Sequence, residues 1–417
     1  MGRTLNLLIF KMEKKFHKKV LKNGMTILFE KRDLPVVSVA FAVRHGGIHE
    51  EISEKGISHF IEHMLYKGTK TRTPKQISEE LEKNGGEMNG FTENVITAYW
   101  CKMPSDKLKI ALDVLSDLVK NPLFEEKELE KERQVIFEEI KMYHDNPLRY
   151  VFEEIQKCLY DGTLSIDLIG TKKTMNSIDR EKMVEKFKSV YTPNNMILCV
   201  VGNADFDELV DFAEKNFGNT LKGTSEKSEI SVKEFGLKNE VKVEERKGID
   251  QANLVFAYHV PLVEDKKSDA ARILTCLMAG GLSSRLFEEI REKRNLAYAI
   301  KGGSQISKYF AYNFIYVGTM KENVEKVKEL ILKEFEKVAK SLDEKELNSV
   351  KEQLIGNYKI SQEDSVLQMQ SLLFAEMDGQ AEEFYEFEKN IKEVKLEDVK
   401  NLAKIKDYSF FALVPKD

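Results

Sequence analysis

Wound at 3.6 residues per turn, residues 57–66 divide into two stripes. Ile57, Phe60, Ile61, Met64 and Leu65 share one face, and His59, Glu62, His63 and Tyr66 lie opposite. The spacing predicts a helix anchored by its apolar side. Met25 to Phe29 and Val36 to Val43 read as strands ahead of it, and a second helix runs behind it from about Pro74 to Lys83, where Gly85-Gly86 breaks the chain. Beyond the break, Glu87 to Thr92 and Val95 to Met103 predict a β-hairpin around Glu93-Asn94. Helical periodicity returns over 105–119 and 125–143 and continues in pieces to 190. A strand follows at Met196 to Val201, then a short helix to Asn216.

The second half then repeats the first. Val36 to Phe41 matches Gln251 to Phe256 in position and strand character, an offset of 251 − 36 = 215. Glu126-Lys127-Glu128-Leu129 recurs as Glu344-Lys345-Glu346-Leu347, an offset of 344 − 126 = 218. Offsets this constant argue for duplicated domains. Gly218 to Ser228, rich in Gly, Ser, Thr and Lys, reads as linker. The expected division is a first domain over 12–217, a linker over 218–234 and a second domain over 235–417.

Composition agrees with two domains, because 417 residues exceed what one core usually organises. With 42% hydrophobic and 32% charged residues the chain reads as globular. A net charge of −5, with lysines and glutamates mixed throughout, predicts no nucleic-acid partner. Cys101, Cys158, Cys199 and Cys276 are far apart and form no Cys-x-x-Cys pair, which suits reduced thiols in the cytoplasm. Leu5 to Phe10 is shorter than a signal peptide and reads as a leader before Met12. No stretch approaches the roughly 20 apolar residues that span a bilayer, so no membrane partner is expected.

The polar face of the first helix carries the chemistry. In His59-Phe60-Ile61-Glu62-His63, two imidazoles lie one turn apart with a carboxylate between them, and the chain has only seven histidines. That arrangement can hold and use a zinc ion, but two histidines leave it short of the usual three protein ligands. The helix over 125–143 offers a third. Leu129, Val135, Ile136, Ile140 and Tyr143 read as its buried stripe, which also carries Glu132 and Glu139, while Glu138 projects away. Acids on an apolar face are costly unless a cation or donor meets them. Glu139 as ligand and Glu132 as its supporting partner fit that requirement, and so does an ordinary pair of salt-bridged acids. At the corresponding place the second half has Ile273 to Met278 with no histidine, so only the first domain can carry the metal.

These residues, His59-x-x-Glu62-His63 and then a glutamate 139 − 63 = 76 residues on, resemble the inverted-zincin metallopeptidases. That family includes pitrilysin, insulin-degrading enzyme and the mitochondrial processing peptidase. The likeness runs from about Phe16 to the C-terminus and is nearest to the short, dimeric members. It implies an α+β fold of two duplicated domains, each a mainly antiparallel sheet with helices packed on it. It implies one Zn2+ per chain held by His59, His63 and Glu139, with Glu132 in support and Glu62 as general base on a zinc-bound water. Gly86, Asn89, Gly90, Phe91 and Thr92 resemble the family's substrate strand, where an extended peptide adds to a sheet edge; alone, they also suit an ordinary hairpin.

In the second domain Gly280-Gly281-Leu282-Ser283-Ser284-Arg285-Leu286-Phe287 leads to Arg291 and Tyr298. This resembles the family pair that touches substrate across the catalytic chamber, although Arg291 by itself reads as a surface arginine. The glycines are not a phosphate loop, because Gly-x-x-x-x-Gly-Lys-Ser/Thr is missing. The expectation is a zinc-dependent endopeptidase that cleaves unfolded or short polypeptides in a closed chamber, as a homodimer sharing its active sites. The alternative is a non-catalytic or partner-dependent, processing-peptidase-like subunit. His45, His49, His144 and His259 lack partners at ligand spacing and read as surface or strand residues. Trp100 and the 24 Phe read as core or groove wall.

Overall fold

A computed structural model describes residues 15–220 and 235–416. The expected leader and most of the expected linker lie outside the described residues. The first sheet has six strands: β1 (Phe16–Val20), β2 (Thr26–Lys31), β3 (Val36–Val43), β4 (Glu87–Thr92), β5 (Thr97–Pro104) and β6 (Met196–Gly202), in the order β1-β2-β6-β3-β5-β4. The second has five: β7 (Val241–Arg246), β8 (Ala252–His259), β9 (Ala297–Ile306), β10 (Ala311–Thr319) and β11 (Ser409–Pro415), in the order β7-β11-β8-β10-β9.

Setting β1 aside, the two orders superimpose strand for strand. Each contains one parallel pair, β2 with β6 and β7 with β11, and is otherwise antiparallel. The fold is therefore α+β with a duplicated domain, as the repeat predicts.

The helices of the first half are α1 (Ile57–Leu65), α2 (Pro74–Glu82), α3 (Leu108–Lys120), α4 (Glu126–Asp145), α5 (Pro147–Leu159), α6 (Lys172–Ser177), α7 (Arg180–Val190) and α8 (Phe206–Phe217). Those of the second half are α9 (Ser268–Ala279), α10 (Val324–Ser341), α11 (Glu344–Ser361), α12 (Ser365–Met377), α13 (Phe387–Glu393) and α14 (Leu396–Leu402). None of these is long and apolar enough to cross a membrane.

Successive side chains of a strand point to opposite faces, and here both faces are covered. In β3, Val37, Val39, Phe41 and Val43 face a core built with α1, α3, α7 and α8, while Ala40 and Ala42 face the other way. The central strands therefore read as continuous apolar runs rather than as an alternation.

The outward faces of the two sheets meet through an exchange of helices. Helix α5 of the first half packs on β8 and β11, and α12 of the second half packs on β6 and β3. Val151, Ile155 and Leu159 thus join Val255, Ala257, Phe411 and Leu413 in one core, together with Met369, Leu372 and Leu373 over Leu28, Cys199 and Val201. Polar contacts fix α12 in place: Ser365 Oγ lies 2.9 Å from Ser38 Oγ, and Glu376 accepts from Lys18 and Arg44 at 2.6 and 2.7 Å.

Candidate metal centre

Helix α1 carries the two stripes as its periodicity predicts. Ile57, Phe60, Ile61, Met64 and Leu65 are all no more than 1% exposed, so the opposite face is held rigidly toward α4 and β4. On α4 the apolar phase differs from expectation. Val135 is 48% exposed, and the buried line is Leu129, Glu132, Arg133 and Ile136, with Ile140 and Tyr143 half-buried. Arg133 keeps its charge inside because Glu130 pairs with it at 2.9 Å, and the carbonyls of Met175 and Ile178 accept from its guanidinium. Glu132 and Glu139 nonetheless face α1, and the Glu138 side chain is 71% exposed.

The result is one cluster. Nε2 of His59 and Nε2 of His63 each lie 3.6 Å from Glu139 Oε2, and one ligand atom from each residue falls within 4.8 Å of the others. Two atoms bound tetrahedrally to one zinc at about 2.0–2.1 Å stand roughly 3.3 Å apart, so the spacing fits a shared ion better than direct hydrogen bonds. Glu132 lies behind His63: its Oε2 is 3.2 Å from Nδ1, and its Oε1 meets Lys67 Nζ at 2.7 Å. A proton held on Nδ1 leaves the Nε2 lone pair free toward Glu139. Burial first, then the nearby His63, pushes the His59 imidazole down to about 3, so it stays a neutral donor. The Tyr143 hydroxyl hydrogen-bonds Glu139; burial and that bond push it up to about 12.

Glu62 stands between the metal face and the hairpin. Its Oε2 accepts from Thr92 Oγ1 at 2.7 Å, and burial raises its carboxyl, offset by the Thr92 bond and by His63. At Gly90 a Cβ would stand 2.9 Å from Glu62 Oε1 and collide with the Tyr66 hydroxyl, so only glycine lets the strand pass this close.

Strand β4 is an edge of its sheet, with Asn89 paired to Trp100, Gly90 to Tyr99 and Phe91 to Ala98. Its other side offers unpaired backbone to an extended chain. Gly86 lies before the strand, with its N–H committed to the Leu81 carbonyl at 2.9 Å.

A cavity of about 460 Å³ opens over the cluster, walled by β4 and its turn, by Phe152, Glu153 and Gln156 of α5, and by residues 164–169. Glu153 had no signal in the sequence; burial and then Asp167 push it up to about 7. Arg291 and Tyr298 do not line this cavity. Arg291 is exposed and stacks its guanidinium on Phe287, and Tyr298, 43% exposed, lies over Gly318.

Two of the remaining histidines depart from the surface or strand reading. His45 and His49 are half-buried and stack at 5.2 Å; burial lowers both, His45 further through His49 and Lys186, and His49 to about 4 despite its bond with Gly46. His259 ends β8 and reaches the Lys238 carbonyl at 3.0 Å, and His144 is exposed.

Two imidazoles and a carboxylate thus converge beneath a free sheet edge in a duplicated α+β fold, a group that could hold one metal ion. Relatives place the protein more narrowly. Residues 26–172 match the family described as Insulinase (Peptidase family M16), and residues 177–354 match the Peptidase M16 inactive domain. An uncharacterized zinc protease of Rickettsia felis is 34% identical over 358 residues, covering 84% of this chain and 85% of its own. The uncharacterized zinc protease YmxG of Bacillus subtilis is 30% identical over 347 residues, covering 82% and 84%. Among solved structures, a protease from Helicobacter pylori superposes with a TM-score of 0.89 at 21% identity, covering 96% of this chain and 100% of that one. A peptidase M16 inactive domain from Pseudomonas fluorescens gives 0.84 at 18% identity, covering 97% and 99%. The chain belongs to peptidase family M16.

Proposed function

We propose that the chain is a zinc-dependent endopeptidase for unfolded or short polypeptides. The observation that carries this reading is the placement of Glu62, 2.7 Å from Thr92 on the edge strand, three residues from His59 and next to His63. His59, His63 and Glu139 would hold the ion, and Glu132 orients His63. Zinc, when bound, supplies the Lewis acidity that polarises the scissile carbonyl and makes water a nucleophile near neutral pH. Glu62 takes the proton of the attacking water and returns one to the leaving amine. Asn89, Gly90, Phe91 and Thr92 hold the substrate as an added strand.

The names of the Rickettsia and Bacillus relatives support zinc and proteolysis. The match to the inactive domain begins at residue 177, beyond all three candidate ligands, and so does not cover the metal site. Four free, buried cysteines support a reducing compartment, the cytoplasm. Purified protein should cleave an unstructured peptide, lose that activity on chelation and regain it with added zinc. Cleavage undiminished by complete metal removal would overturn the reading.

The site as built from one chain lacks Arg291 and Tyr298, which resemble the family's substrate-contact pair and lie outside its cavity. The reading therefore includes a two-fold homodimer in which Arg291 of one subunit holds the substrate backbone at its partner's metal, and Tyr298 donates to the developing oxyanion. Mixing inactive His63→Ala with inactive Tyr298→Phe protein under subunit exchange should restore part of the activity, since one hybrid site keeps every group. Verified exchange with no recovery would rule out shared sites.

A further inference from the structure

Segment 46–50 grips the site from two sides. On one side, Gly47 N and Ile48 N donate to the carbonyls of Glu93 and Asn94 at 3.1 and 2.9 Å, which fastens the segment to the turn that ends β4. On the other, the Glu50 carboxylate accepts from Gly56 N and Ser58 N at 2.9 and 2.8 Å, capping α1 one residue before His59. Lys55 closes the bracket. Its Nζ donates to the Gly47 carbonyl at 2.6 Å and lies 3.9 Å from Glu50, and both side chains are 0% exposed. Gly47 is fitted to this contact, because a Cβ there would stand 2.9 Å from Lys55 Nζ and 2.5 Å from Leu168.

An acid and an amine buried this deeply are a poor way to gain stability: desolvation raises the Glu50 carboxyl and lowers the Lys55 ammonium against their attraction, and an apolar pair of the same volume often does as well. An N-cap side chain is the ordinary way to satisfy such groups, but position 56 has φ +93 and a Cβ there would stand 2.6 Å from the Ile169 carbonyl, so the acceptor reaches in from Glu50 instead. What the buried pair adds is a fixed link between two elements that are otherwise joined across the site by the Thr92–Glu62 hydrogen bond. We propose that Glu50 and Lys55 are positioning residues that set the separation of the metal helix from the substrate edge strand, so that His59 and Glu62 meet the ion and the peptide in register. This rests on the peptidase reading.

Two readouts do not require turnover. One is the zinc dissociation constant of metal-free protein, by competition with a chelator. The other is binding of an unstructured peptide to metal-free protein, followed by the fluorescence of the single Trp100, which pairs with Asn89. Glu50→Gln should weaken zinc by at least about tenfold and peptide by about fivefold or more. Lys55→Gln, which keeps a donor, should move both in the same direction and is read in place of Glu50→Gln if that variant does not fold. The double variant Glu50→Leu/Lys55→Met removes both charges and should regain thermal stability without regaining either affinity.

A control, Glu30→Gln, removes a buried carboxylate held by Arg32 and Gln368 at 2.6 and 2.7 Å. It should lower the melting temperature and leave both affinities within about twofold. Wild-type affinities in both Glu50→Gln and Lys55→Gln, or recovery of both in the double variant, overturn the positioning role alone. Wild-type protein that binds neither zinc nor peptide overturns the peptidase reading and this inference with it.

Discussion

Replacing Glu62 with glutamine is expected to leave about one zinc per chain and to lower peptidase turnover by at least about a hundredfold, the usual contribution of a general base. The two effects separate because Glu62 is not in the ligand set: His59, His63 and Glu139 converge without it, and its own carboxylate is engaged by Thr92 at 2.7 Å. Glutamine keeps the shape and can still meet the Thr92 hydroxyl, so the helix and the strand stay in place while the proton acceptor is gone. Metal analysis alongside single-turnover cleavage reads both quantities. Substantial turnover by the zinc-loaded variant would remove Glu62 from the mechanism, and loss of zinc would place it among the ligands.

Glu139→Gln and Glu138→Gln, one residue apart, should behave oppositely. Glu139 Oε2 lies 3.6 Å from both imidazole nitrogens, whereas the Glu138 carboxylate is 71% exposed and pairs with Lys141 at 2.6 Å. Losing a charged ligand costs more than losing an outer partner, so Glu139→Gln should weaken zinc by at least about a hundredfold. Glu138→Gln should leave the affinity within error, since an exposed pair contributes little. Chelator competition measures both, and equal loss in the two variants would show that α4 is wound in another phase around the bound ion.

The metal helix was legible because its apolar and polar residues separate cleanly at helical spacing, and Glu139 because an acid facing inward demands a partner. The phase of α4 was less so. Val135 suits a core by type, yet the buried position beside Glu132 belongs to Arg133, whose charge is met by carbonyls of residues 175 and 178, more than forty positions away. Local patterns cannot show that compensation. The same limit hid the Glu50–Lys55 bracket, since a glutamate and a lysine five apart in a charged stretch look like solvated surface, and both prove fully buried. It also hid the packing of half-buried His45 and His49, which stack on each other, His49 also meeting Tyr309 from the second half. The helix exchange had no local signal either: α5 is amphipathic in the ordinary way, α12 buries Gln368 and Glu376 while exposing Leu367 and Phe374, and nothing in either pattern tells which sheet it will cover.

That exchange bears on how the chain is made. The outward faces of β3 and β6 are closed by Met369, Leu372 and Leu373 of α12, so the half that holds the metal ligands cannot complete its second core until about residue 377 has left the ribosome. A nascent chain carrying every ligand still exposes an apolar sheet face through the remaining synthesis, at roughly 5–20 residues per second. During that interval it needs either a chaperone over that face or enough speed to outrun aggregation.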